Sequence, residues 1–151
     1  MTLSLHATAI AYRGAGLLML GPSGSGKSQL AAHMLLHGAH LVADDRVNLT
    51  VESGLLIAHP VPGYETLLEL RHLGIIRAPE CAAFHPLHLV AELVAAAPER
   101  LPEPQTRDFM GIALPLVRLH PTVPCASLLL YLEALRDHRL LPTDWQPVKT
   151  D

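Results

Sequence analysis

The octapeptide GPSGSGKS at residues 21–28 constrains this chain more than any other stretch. Gly21, Gly26, Lys27 and Ser28 satisfy the phosphate-loop pattern of Gly, four arbitrary residues, Gly, Lys and then Ser or Thr. The pattern works only between a strand that delivers the loop and a helix that leaves it, because backbone N–H groups and the helix dipole must converge on one phosphate. Both flanks qualify. Leu17, Leu18, Met19 and Leu20 form a short apolar run closed by Gly21-Pro22, as expected of a strand buried on both faces. Residues 27–37 are rich in helix formers, with Leu30, Met34 and Leu35 on one face and Gly38 placed to stop the helix. At average residue usage, chance gives the pattern in roughly one chain of this length in 200. The strand and helix context makes a mere Gly/Ser turn the poorer reading. Gly21, Pro22, Ser23, Gly24, Ser25, Gly26, Lys27 and Ser28 are therefore the expected phosphate-binding set, with Lys27 reaching the outer phosphates and Ser28 the metal.

A chain of 151 residues, half of them hydrophobic, is long enough for one domain with a real core. Its formal charge is only -3 and its 11 basic residues are scattered, which excludes an electrostatic nucleic-acid binder with a dense basic face. Anion binding must be local to a site. Cys81 and Cys125 have no second cysteine or zinc-type spacing nearby, so they read as small buried residues in a reducing compartment. No apolar run approaches the ~18 residues that cross a bilayer, and the N-terminus lacks the features of a secretory signal. The default expectation is a cytoplasmic protein without a membrane partner.

Along the chain, residues 3–12 read as extended and carry His6. A break at Arg13-Gly14-Ala15-Gly16 reads as a hairpin turn into the strand before the loop. Residues 39–43 are apolar and end in Asp44-Asp45; a carboxylate at the end of a second strand beside a phosphate loop is placed to hold metal or activate a nucleophile. Adjacent strand residues face opposite ways, so both aspartates serve one site only if the strand ends there. Residues 48–51 and 55–58 resemble a hairpin around Glu52-Ser53-Gly54, whereas His59-Pro60-Val61-Pro62-Gly63 reads as a loop. Residues 66–71 suit a strand or a short helix, residues 74–76 a strand, and residues 87–97 a helix or a strand-like core segment, their alanines favouring helix. The Pro-rich residues 98–104 read as a connection and residues 126–138 as a helix with Leu128, Leu129, Leu132 and Leu135 at helical spacing. Residues 1–141 form the expected catalytic unit and 142–151 a polar tail.

Three blocks carry a resemblance to a family: GPSGSGKS at 21–28, HLVADDRV at 40–47 and LELRHLGII at 68–76. Together they resemble the catalytic domain of the bacterial HPr kinase/phosphorylase family, whose members transfer phosphate from ATP to a serine of the phosphocarrier HPr. The resemblance implies an α/β P-loop domain of the HPr kinase/PEP carboxykinase-like type, a mixed β-sheet with flanking helices. It implies ATP and magnesium as cofactors, HPr as partner and a hexameric assembly. His6 would lie close to the transferring phosphate, Lys27 on the nucleotide phosphates, Ser28 with Glu69 around magnesium, and Asp44 or Asp45 would act as acid/base on the serine. Glu99-Arg100-Leu101 is the nearest match to a family "DRL" segment and implies Arg100 as a phosphate-stabilising residue. Full members resemble two domains, so this sequence corresponds to the catalytic half with the N-terminal domain absent, similar to short alphaproteobacterial forms.

Two departures bear on the chemistry. His72 replaces a glycine of the family's "EIRGLGI" block, and residues 121–126 read PTVPCA where the family has "PVRPGRN", a segment associated with phosphorolysis. Both arginines are missing. A free phosphate beside a phosphoserine then lacks its cationic clamp, and kinase activity with weak or absent phosphorolysis is expected.

Phosphoryl transfer needs positioning and neutralised charge, and an aspartate supplies direction and a proton sink to the attacking hydroxyl. Asp44 is the preferred base, although the sequence leaves the facing of the pair open. Arg71 suits a phosphate contact or a pair with Glu69 equally well. His33 and His37, and His85 and His88, lack the partners of a metal site and read as ordinary histidines. The rival functions are a small-molecule P-loop kinase or ATPase and a non-catalytic nucleotide-sensing module; a GTPase is disfavoured because no Asn-Lys-x-Asp motif occurs.

Overall fold

The structure, a computed structural model, describes residues 1–148, so the last three positions of the expected tail lie outside the described residues. In chain order the elements are β1 (Leu3–His6), β2 (Thr8–Tyr12), β3 (Ala15–Leu20), α1 (Lys27–Leu36), β4 (His40–Ala43), β5 (Arg46–Glu52) and β6 (Leu55–Pro60). There follow β7 (Leu67–Leu70), β8 (Gly74–Arg77), β9 (His85–Pro86), β10 (Leu89–Leu93), β11 (Gln105–Phe109), β12 (Ile112–Leu119) and α2 (Cys125–Arg136).

Three layers result. A six-stranded mixed sheet runs β11-β12-β10-β3-β2-β4, with β3, β10 and β12 parallel and the other pairings antiparallel. On one face Leu17, Met19, Leu89 and Ala91 pack against Leu30 and Met34 of α1 and Leu128 and Leu132 of α2. On the other, Leu18, Leu20 and Val90 meet Val47, Leu49, Leu56 and Ala58 of the antiparallel sheet β1-β5-β6-β9. Strand β3 thus has apolar layers on both sides, which explains its unbroken hydrophobic run. This is the α/β mixed sheet with flanking helices expected from the sequence.

The extended segment 3–12 is two strands in two sheets, separated at the fully buried Ala7. The first hairpin turns on Arg13-Gly14 alone, with φ 49 and 83, and the second on Ser53-Gly54, with φ 52 and 76. Positive φ at both central residues matches the twist of the flanking strands, so each turn closes in two residues. Ala15 and Gly16 already belong to β3.

Three expectations are corrected. Residues 87–97 suited a helix or a strand-like core segment with helix favoured, and residues 89–93 form the strand β10, because pairing with parallel β3 and β12 along both edges overrides alanine's helix propensity. His59 and Pro60 end β6 rather than open a loop, Pro60 sitting at the strand terminus where its missing N–H costs least. Cys81 and Cys125 are half-buried free thiols rather than fully buried ones. No helix among the described residues is long and apolar enough to cross a membrane.

His88, just before β10, ties it to the start of β3, at the end away from the loop. Its backbone N–H donates to Gly16 O at 2.8 Å, and its Nδ1 accepts from the Gly16 N–H at 2.9 Å. Burial, and secondarily the neighbouring His85, lowers its pKa below the ordinary 6.5. A histidine with a depressed folded-state pKa contributes fully above its unfolded pKa and loses that contribution as pH falls through the folded value. Urea unfolding is therefore expected to lose about 1 kcal/mol, one hydrogen bond's net worth, between pH 7 and acid pH through this group. His88→Asn, which retains an acceptor but does not titrate, should flatten that part of the pH profile.

Candidate functional site

The loop at 21–28 leaves β3 and enters α1 through a short turn in which the Ser25 N–H donates to Pro22 O at 3.0 Å. Gly26 caps the helix with φ 102, a left-handed conformation natural to glycine. A Cβ there would lie 2.9 Å from Cβ of Pro121, so the turn after β12 presses directly on the loop. Helix α1 has no side-chain N-cap and no acidic residue in its first turn. Its first N–H groups and positive dipole end are left for an anion.

Lys27 is 6% exposed and folds back into the loop, donating to Gly21 O at 2.7 Å and Pro22 O at 3.1 Å and reaching Ser25 Oγ at 3.5 Å. Burial lowers its pKa, opposed by the charges of Asp45 and Asp44. The cation is thus held on the loop's own carbonyls, close to two carboxylates that attract it.

Strand β4 ends at Ala43, and Asp45 adopts φ 67, one of the few non-glycine types that tolerate it. With the strand ended there, both consecutive carboxylates lie close enough to Lys27 to oppose the lowering of its pKa. Asp44 turns inward. Its Oδ1 accepts from Ser28 Oγ at 2.6 Å and from the fully buried Thr8 Oγ1 at 3.0 Å, and its Oδ2 accepts from the Glu69 N–H at 3.3 Å. Asp45 stays outside, 73% exposed in its side chain, with Oδ1 at 2.8 Å from His6 Nε2. His6 arrives there because β1 pairs antiparallel with β5 and sets His6 opposite Arg46, the residue after Asp45.

Glu69 lies on β7, anchored by the buried Leu68, with an exposed side chain and its backbone N–H on Asp44. The β7–β8 turn places His72 in a left-handed conformation, φ 68, which a glycine adopts at no steric cost. Arg71 on the same turn leans over the loop: a Cβ on Gly24 would lie 3.3 Å from its Nη1, and among the described residues it forms no ion pair with Glu69. Arg100 sits exposed in the irregular segment before β11, and no hydrogen bond or ion pair among the described residues joins it to the site. Among the described residues, no group of three or more His, Cys, Asp or Glu side chains is arranged to hold an ion.

Two features escaped the sequence. Thr8 holds Asp44 from the start of β2, signalled only by a small hydroxyl residue at the head of a largely apolar strand. A cleft of about 530 Å³ opens beside the loop, lined by His6, Gly21, Pro22, Glu92 and Arg107 among others. Glu92 was visible as a lone charge in an apolar run; Arg107 carried no local signal.

With this geometry in place, the similarities are informative. The model of the HPr serine kinase C-terminal domain matches residues 1–120. The structure is similar to that of the Hpr(Ser) kinase/phosphatase from Coxiella burnetii, with a TM-score of 0.74 and 28% identity over 91% of this chain and 90% of that one. The match reaches from the strand carrying His6 to the residue after β12, and with it the chain belongs to the HPr serine kinase C-terminal domain family.

Proposed function

We propose that this domain transfers the terminal phosphate of ATP, with magnesium, to a serine of HPr, and that it runs chiefly in the kinase direction. The observation that carries the reading is the division of the aspartate pair, Asp44 to Ser28 and Asp45 to His6, on one rim of the phosphate loop. The donor set fits magnesium, which takes one or two carboxylates, a hydroxyl, water and phosphate oxygens rather than an all-protein cage. Ser28 and Asp44 would hold it, with Glu69 next to Asp44 on the same side. When bound, the ion neutralises charge on the phosphate oxygens.

The chain's own residues divide the remaining work. Lys27 and the uncapped first turn of α1 take the nucleotide phosphates, and Arg71 covers the loop. Both oxygens of Asp44 are already occupied by donors, whereas Asp45 is exposed and oriented by His6. Asp45 is therefore the proposed base, accepting the serine proton, and the sequence preference for Asp44 gives way to a metal-side role. Arg100 keeps a place only as a residue of a segment that would have to approach the loop.

The direction of the reaction rests on residues 120–124. Pro121 packs against Gly26, while His120 Nδ1 and Thr122 Oγ1 lie 2.7 Å apart and satisfy each other. No arginine stands at this position to hold a second phosphate. Incubation with labelled ATP, magnesium and HPr, with a serine-to-alanine HPr as control, tests the reading. Label confined to serine-bearing HPr is expected; hydrolysis alone indicates an ATPase, and binding alone a sensing module. Phosphoserine-HPr with inorganic phosphate should release pyrophosphate at under about a tenth of the kinase rate, the loss of a charge-assisted clamp being worth at least that factor. Comparable rates would overturn the assigned direction.

A further inference from the structure

We propose that Arg107 holds a phosphate dianion on the acceptor side of the loop, in the cleft that it shares with His6. Strand register builds the place. Glu92 on β10 lies beside Leu20, the residue before the loop, and also beside Arg118 on β12. Arg107 is two residues before Phe109 on β11, so both project from the same face of the sheet. That face, to which the side chains of Leu20, Phe109 and Leu114 also belong, looks away from α1 and toward the sheet carrying His6.

The electrostatics leave Arg107 available. Its Nη1 is 3.7 Å from Glu92 and the Nε of Arg118 is 3.5 Å from the same carboxylate, both looser than a direct hydrogen bond. Two guanidiniums on one carboxylate leave one positive charge in excess. Arg118 has a further partner in Gln105, whereas among the described residues Arg107 makes no side-chain hydrogen bond and rests its guanidinium 5.3 Å from the centre of the Phe109 ring. Its donor fork, which matches phosphate oxygens in pairs, is half-exposed at the cleft.

The location selects the ligand. The cleft is bounded by Gly21 and Pro22 at the start of the loop and by His6, whose Nε2 is on Asp45. An anion there sits across the loop from α1, on the side from which a serine would meet Asp45. The inference rests on the kinase reading above for its acceptor, and the shared chemistry is that of a phosphate dianion, carried by a phosphoserine or free in solution.

Calorimetric titration of wild type, Arg107→Ala and Glu92→Gln with phosphoserine-HPr, unphosphorylated HPr and inorganic phosphate tests it. Arg107→Ala should weaken phosphoserine-HPr by about tenfold, the effect of one charge-assisted contact, and leave unphosphorylated HPr within about twofold. Glu92→Gln should act in the opposite direction and tighten the phosphorylated form, because it frees the guanidinium; a purely structural role would weaken both. Arg107-dependent binding of inorganic phosphate alone identifies free phosphate as the ligand, and dependence seen only with phosphoserine-HPr identifies the phosphoserine. Unchanged affinities in Arg107→Ala, or equal loss for both forms of HPr, would overturn the site. A wild type that transfers no phosphate yet binds these anions through Arg107 would sink the kinase reading and leave the site standing, and transfer with binding indifferent to Arg107 would do the reverse.

Discussion

Asp45→Asn is expected to lower phosphoryl transfer to HPr by about 1000-fold, the middle of the range for a positioned general base, with ATP affinity nearly unchanged. The carboxylate is exposed, and among the described residues its side chain is hydrogen-bonded only to His6, so its loss removes a proton acceptor and a charge that acts on Lys27 while leaving the hydrogen bonds of Ser28 and the loop in place. Asp44→Asn should behave differently. Its amide can still accept from Ser28 and Thr8 through one oxygen, but it loses the negative charge and sets an NH₂ against the Glu69 N–H. The expected result is a magnesium requirement raised by about tenfold, with turnover partly restored at high magnesium, since magnesium sites here rely on only one or two carboxylates. Initial rates across a magnesium titration, beside nucleotide binding by fluorescence, separate the two variants. Identical profiles would contradict the division of roles.

Lys27→Ala is expected to reduce transfer by about 1000-fold, comparable to the removal of a donor aimed at developing charge, and to weaken ATP as well. Stability should change little. The side chain is 6% exposed, so its deletion removes three polar contacts and also the cost of desolvating an ammonium, a cost visible in its lowered pKa. These oppose each other, and a net change of no more than about 1 kcal/mol is expected. Lys27→Arg should fail to rescue, because a planar guanidinium does not fit a cradle shaped for a compact ammonium on two carbonyls. A thermal melt beside the kinase assay checks both halves: activity lost with the melting temperature retained.

Much of the site was legible because phosphate binding depends on local backbone chemistry. The glycines of the loop, the strand before it and the amphipathic helix after it are each specified within a few residues, and all three stand where the pattern put them. The same locality made both hairpin turns readable. At residues 87–97 only the preference for helix over a strand-like segment failed, for the complementary reason. Their alanines favour helix in isolation, but the space between two parallel strands accepts only a strand, and that space is created by β3 and β12, neither of which is adjacent to β10 in sequence.

The roles of the aspartates show the boundary most clearly. The sequence alone determined that two carboxylates follow a buried strand beside a phosphate loop, and that the loop carries Lys27 and Ser28, because those facts depend on composition and short spacing. It could not say which aspartate faces which partner. Only the tertiary structure decided that, by ending β4 at Ala43, placing Asp45 in a left-handed conformation, and bringing Thr8, Ser28 and the Glu69 N–H onto Asp44 while β1 delivers His6 to Asp45. Arg107 belongs to the same class: 79 residues after the end of the loop in sequence, it reaches the cleft through the register of β3, β10, β12 and β11. The physical reason is common to both. A side chain's direction follows from the φ/ψ of its own residue and from pairing with strands remote in sequence, and neither is encoded in the spacing of the residues around it.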